Sequence, residues 1–126
     1  MRTNSRHRAL FAAALLGAGL ALATTACSSG SVTSAFVGTW GEEGEGLPSL
    51  TLTEDKTLTG TDGCNRLVGS FSVDGETIGF EQVASTKMAC SDVDTWLSSL
   101  ATGRVVDGSL EVSDASGAVI GSLAKQ

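Results

Sequence analysis

The sequence predicts a mainly β (α+β) domain, a small antiparallel curled sheet or barrel with one α-helix packed on it. Three observations predict it. Apolar and polar residues alternate with a period of two over several short runs, Asp-Gly pairs sit between such runs, and one late stretch alone has helical spacing.

Leu50 and Leu52 alternate with Ser49, Thr51 and Thr53, the mark of a half-buried strand, and Glu54–Lys56 turn the chain into TLTGT so that Leu52 faces Leu58. LVGSFSV and ETIGF flank Asp74 and Gly75, the pair a type I′ turn prefers. Counting out from that turn sets Phe71 opposite Ile78 and Gly69 opposite Phe80, the glycine making room for the ring. Leu67, Phe71, Ile78 and Phe80 then share one face, with Ser70, Ser72 and Thr77 on the other. Within residues 91–102, Val93, Trp96, Leu97, Leu100 and Ala101 recur at helical spacing, with Ser91 as N-cap, Asp94 in the first turn and Gly103 at the exit. A second Asp-Gly turn, Asp107-Gly108, sets Val105 opposite Leu110, and residues 113–117 join the last two strands.

The chain start has a different character. MRTNSRHR carries three arginines, and an apolar run follows over residues 10–22. As a helix that run would span about 20 Å, short of the roughly 30 Å hydrocarbon layer, so it reads as a removable export leader covering residues 1–26. Cys27, after Thr24-Thr25-Ala26, resembles the acylated cysteine of a bacterial lipobox, with threonine where an aliphatic residue is usual; ordinary signal cleavage with Cys27 as a loose thiol is the alternative. Residues 27–35 form a small, polar tether and residues 36–126 the folded domain, which points to an exported protein held on the outer side of the cell membrane by its lipid. Beyond residue 26 five basic residues face fourteen acidic ones, a net charge of −9. That surface repels phosphate backbones and argues against nucleic-acid binding.

With Cys27 assigned to the lipid, Cys64 and Cys90 remain as an even pair. Outside the cytosol such a pair favours a disulfide, and a small core gains most from one. A buried pair of free thiols and a metal site are the alternatives, the latter needing two recruited carboxylates because His7, the one histidine, falls in the leader. No metal or cofactor is expected.

Gly38-Thr39-Trp40, Gly63-Cys64-Asn65 with Gly69 and Phe71 after it, and Ser85-Thr86-Lys87-Met88-Ala89-Cys90 resemble the META domain family, HslJ-like, over about residues 36–124. The resemblance implies a compact antiparallel fold with one helix, frequent export or lipid anchoring, a link to stress or antibiotic tolerance, and no agreed catalytic activity. Many members carry tyrosine where this chain has Phe71. The motif residues read as structural: Gly63 and Asn65 suit a sharp bend at positive φ, the Asn65 amide can serve loop backbone groups, and Thr86 and Met88 would fill the underside of the loop.

Without an imidazole after the leader, Ser-His-Asp and Cys-His hydrolysis are excluded for the folded domain. Glu42, Glu43 and Glu45 lie in a glycine-rich loop without the spacing of a calcium loop and read as solvated, while Asp92 and Asp94 read as acids at a helix start. No catalytic residue is assigned. Two functions remain: a non-catalytic, monomeric envelope module that binds another envelope protein or a cell-wall component, and a small-molecule binder using the interior or mouth of the barrel.

Overall fold

A computed structural model describes residues 33–126 together with Gly17 and Gly19; the rest of the leader, Cys27 and the start of the tether lie outside the described residues. Eight strands follow one another round a single antiparallel meander: β1 (Gly38–Gly41), β2 (Ser49–Leu52), β3 (Thr57–Thr61), β4 (Arg66–Asp74), β5 (Thr77–Ser85), β6 (Thr102–Val106), β7 (Ser109–Ser113) and β8 (Val119–Ala124). The sheet curls until its two ends meet. Trp40 and Lys125 form an antiparallel bridge, and the Gln126 amide donates to the Thr39 carbonyl at 3.1 Å. Lys125 reinforces the seam, its ammonium 4.7 Å from the Trp40 ring centre and 2.7 Å from the Val37 carbonyl. Curling in this way nearly closes the sheet into a barrel and brings together the two edges that a flat meander would leave apart.

The alternation seen in the sequence is the inside-outside alternation of the barrel wall. Leu50, Leu52, Leu58, Leu67, Phe71, Ile78, Leu110, Val112 and Leu123 point into the core with Trp40, while Thr39, Thr51, Thr59 and Val68 lie on the outer face. An eight-stranded barrel encloses a space that side chains can fill, and here they fill it. Phe36 lies buried before β1, and the Trp40 indole N–H donates to its carbonyl at 2.8 Å.

Two of the three sequence-based registers hold. Leu52 pairs with Leu58, and Val105 with Leu110 around Asp107 and Gly108, whose φ values of 50° and 78° are those of a type I′ turn. The third is displaced. Asp74 pairs with Thr77, so the turn is Gly75-Glu76 with Gly75 alone at positive φ, 60°, the type II′ pattern. Phe71 therefore faces Phe80, and Val73 faces Ile78. Because the displacement is two residues in the partner strand, each side chain keeps its face, and Phe71 and Ile78 remain inside. Gly69 does not make room for a ring. It faces a bulge in β5 around Gln82, φ 50°, and an added Cβ would lie 2.9 Å from the Val83 Cα.

The α-helix expected over residues 91–102 is absent. Asp92 adopts φ 62°, outside the helical region, and only Trp96–Ser99 form a short 3-10 turn, whose N-cap Thr95 makes no side-chain capping bond. Ser91, Asp92, Asp94, Thr95, Ser98 and Ser99 are poor helix formers, and the chain is already engaged with the sheet at Ala101, which bonds Phe80 and Ser113. The apolar spacing has another cause: the segment crosses an opening beside β5, which pairs with β6 only through Thr77–Gly79, and sends Leu97 fully into the core. Trp96 lies flat against β8 where Gly121 leaves space, three of its ring atoms being 2.7–2.8 Å from where a Cβ would stand. Asp92 and Asp94 thus sit in an exposed loop with no helix dipole to answer.

The loop between β7 and β8 closes on Asp114. Its carboxylate accepts from the Ser116 hydroxyl and from the Ser116 and Ala118 amides at 2.6, 2.9 and 3.1 Å, and the Ser116 hydroxyl foremost holds its pKa below the ordinary 3.8. Gly121→Ala drives a methyl group into the Trp96 ring and should lower stability by about 1–3 kcal/mol with an unchanged denaturant slope, read from urea unfolding. An unchanged midpoint would show that the ring is not seated there.

Candidate functional site

Gly63, Cys64, Asn65, Thr86, Met88 and Cys90 of the family motif meet where the β3–β4 turn touches the segment after β5. Asp62 opens the turn: its Oδ1 accepts from the Cys64 and Asn65 amides at 2.9 and 2.5 Å, while its own N–H donates to the Asn65 carbonyl at 3.1 Å. This is the local turn that Asp favours two and three residues ahead of itself. Asp62 is wholly buried, and Oδ2 has no hydrogen-bond partner among the described residues. The two amide bonds at Oδ1 offset part of that desolvation. Gly63 takes φ 99°, and a Cβ there would lie 2.8 Å from the Gly46 carbonyl oxygen and 3.0 Å from Val93, so the loop after β1 and the segment after Cys90 both close on it.

Asn65 then ties the turn to the distant segment. Its Oδ1 accepts from the Met88 amide at 2.6 Å and the Thr86 hydroxyl at 3.1 Å, and its Nδ2 donates to the Met88 carbonyl at 3.4 Å. The backbone of Asn65 is not at positive φ, so its place in the motif comes from the amide. Thr86 extends the ladder beyond β5, exchanging backbone and hydroxyl bonds with Arg66 at 3.2 and 3.0 Å. The Cys64–Cys90 disulfide closes the same junction, with a Cα separation of 5.8 Å across 26 residues. A bridge is thus present, in place of free thiols or a metal pair. Among the described residues no group of three or more Cys, His, Asp or Glu side chains is placed to hold a metal ion.

Outside this junction runs a groove of 630 Å³. Its floor is the outer face of β3 and β4, where Thr61 pairs with Arg66 and Thr59 with Val68, and its wall carries Thr86, Met88 and Cys64. Met88 does not pack under the loop: it is 61% exposed, as Val68 is 45% exposed, and together they give the groove its apolar part. The remaining motif residues lie elsewhere. Gly38 and Trp40 belong to the barrel seam, and Gly69 and Phe71 to the bulge and the core, so the motif is partly barrel and partly junction. Smaller surface hollows of 240 and 270 Å³ lie beside Pro48 and Phe36. Glu42, Glu43 and Glu45 are exposed.

The family model of the META domain matches residues 23–120. The chain belongs to the META domain family. No curated protein and no solved structure matches it. The META motif of this chain thus builds a tied junction with an open groove on its outer side. Sequence reasoning missed Asp62, Arg66 and Val68. An Asp-Gly pair directly ahead of a cysteine could have flagged the first, and the outward phase of β4 the other two.

Replacing both Cys64 and Cys90 by serine should cost about 3.5 kcal/mol by loop-closure entropy, and Asn65→Ala about 2–3 kcal/mol through the loss of its amide bonds. Urea unfolding of the two variants beside wild type checks this, and an Asn65→Ala midpoint equal to wild type would show that the amide is not what ties the turn.

Proposed function

We propose that the protein is an exported, lipid-anchored, HslJ-like member of the META family that acts at the cell envelope without catalysis, binding a partner in a stress-related role. The leader at residues 1–26 and Cys27 supply the export and the anchor, and the partner is another envelope protein or a cell-wall component. The observation that carries this reading is the groove on the outside of the junction. The motif residues of the junction hold its wall in place, while side chains occupy the barrel interior. A small-molecule binder of the interior type needs a cavity of a few hundred Å³ inside the barrel, and Leu50, Leu58, Leu67, Phe71 and Leu110 take up that space. The partner reading is therefore preferred over the ligand reading. A disulfide at the junction is in keeping with an oxidising compartment, and the acidic surface with a monomer that avoids nucleic acid and stands off an anionic bilayer.

Metabolic labelling with palmitate tests the anchor. Label should appear in the wild-type protein and vanish in Cys27→Ala, which should also leave the membrane fraction; label that persists in Cys27→Ala contradicts the assignment.

A further inference from the structure

We infer that the groove beside the disulfide binds an extended peptide segment bearing an acidic side chain two residues from an apolar one, with Arg66 taking the carboxylate and Val68 with Met88 taking the apolar group. The inference rests on the partner-binding reading and names the chemistry of the partner.

The first argument is charge. Five cations follow the leader, against fourteen acids in the chain. Lys125 is committed to the Val37 carbonyl and the Trp40 ring, and Arg104 to Glu111 at 3.1 Å, which is the one salt bridge among the described residues. Arg66 has no side-chain partner among the described residues, is exposed, and lines the groove; Lys87, also exposed, sits between the lining residues Thr86 and Met88. A guanidinium presents five donors in a fork that fits a carboxylate with two parallel hydrogen bonds. A polyanion would meet the net charge of −9 on the folded domain, whereas a single carboxylate meets the local cations with little of that repulsion.

The second argument is spacing. Arg66 and Val68 are two residues apart on β4, on the outer face, opposite Thr61 and Thr59. Along a strand that step is about 6.8 Å, which is also the step between side chains i and i+2 on the same side of an extended peptide. A segment lying along β4 therefore brings an acidic residue to Arg66 when an apolar one rests on Val68 and Met88. Shape agrees with this occupant. The floor residues Val68 and Thr59 and the wall residue Met88 are all exposed, so the groove covers one side of an occupant, whereas small molecules are held with most of their surface buried. The wall is also built in advance, because Asn65 and the disulfide hold the Thr86–Cys90 segment in place, and a preformed wall lowers the ordering cost of binding.

Fluorescence anisotropy with the full-length protein in detergent tests the inference, using labelled Ac-Thr-Glu-Ser-Val-Thr-NH2, the same peptide with Gln for Glu, and a third with Gln and a free C-terminal carboxylate. The Glu peptide should bind about tenfold more tightly than the Gln peptide, the low end for a charge-assisted hydrogen-bonded pair. The free C-terminus should bring no gain. Arg66→Gln should erase the preference for Glu, and Val68→Ser should weaken both amidated peptides while keeping their ratio. Equal binding of the Glu and Gln peptides, a preference that survives Arg66→Gln, or a gain that follows the free C-terminus overturns the inference. The urea midpoint of Arg66→Gln should match wild type, since the side chain is outside the core. Wild-type palmitate labelling of Arg66→Gln leaves the envelope reading standing whatever the peptides do, so the two can fail separately.

Discussion

The side-chain amide of Asn65 and the Cys64–Cys90 disulfide hold the β3–β4 turn against the segment that follows β5, and the rest of this end of the molecule is arranged around that clasp. From Thr86 to Ala101 the chain has no regular structure apart from one 3-10 turn, so it has almost no backbone ladder of its own to fix its course. The clasp fixes one end of this course and the start of β6 the other. Between them Leu97 can enter the core and Trp96 can lie on Gly121, which closes the barrel beside β5. The two parts of the clasp act on different states: the disulfide limits the unfolded chain, and the amide bonds set where the segment sits once folded.

Most of the barrel was legible because its wall obeys a local rule. Alternation marks the inward leucines of β2 and β7, and Asp107-Gly108 is the turn its residues favour. Asp74-Gly75 carries the same two residues, yet the strands meet one residue later, at Asp74 and Thr77. Phe71 there pairs with Phe80, both belonging to the core, and a bulge follows at Gln82; neither feature leaves a mark in a dipeptide. The expected helix shows the opposite case. Val93, Trp96, Leu97, Leu100 and Ala101 do have helical spacing, but spacing records only which residues are buried, and an irregular crossing of the barrel opening produced the same spacing.

The site was half legible. Cysteine number and the export leader pointed to a bridge, the family resemblance drew Asn65, Thr86 and Met88 together, and the Asn65 amide does serve loop backbone groups as its residue type suggests, but the placing of the others was not legible. Met88 is outward, the Asn65 backbone is not at positive φ, and the burial of Asp62 leaves no mark beyond an Asp-Gly pair. These distinctions depend on which of two adjacent residues faces the core, and in a turn there is no period from which to read it. The same geometry separates the two roles of the motif: its inner members fill the barrel, and its outer members shape a surface with one uncommitted guanidinium beside exposed apolar groups.

Amide hydrogen exchange of the oxidised full-length protein, followed residue by residue, tests the clasp most directly. The account predicts that the Met88 N–H, although in an exposed segment without a strand, exchanges far more slowly than a free peptide because it donates to Asn65, and that it becomes fast in Asn65→Ala while the β7 and β8 amides stay protected. Exchange of Met88 at the free-peptide rate in the oxidised wild-type protein would contradict it.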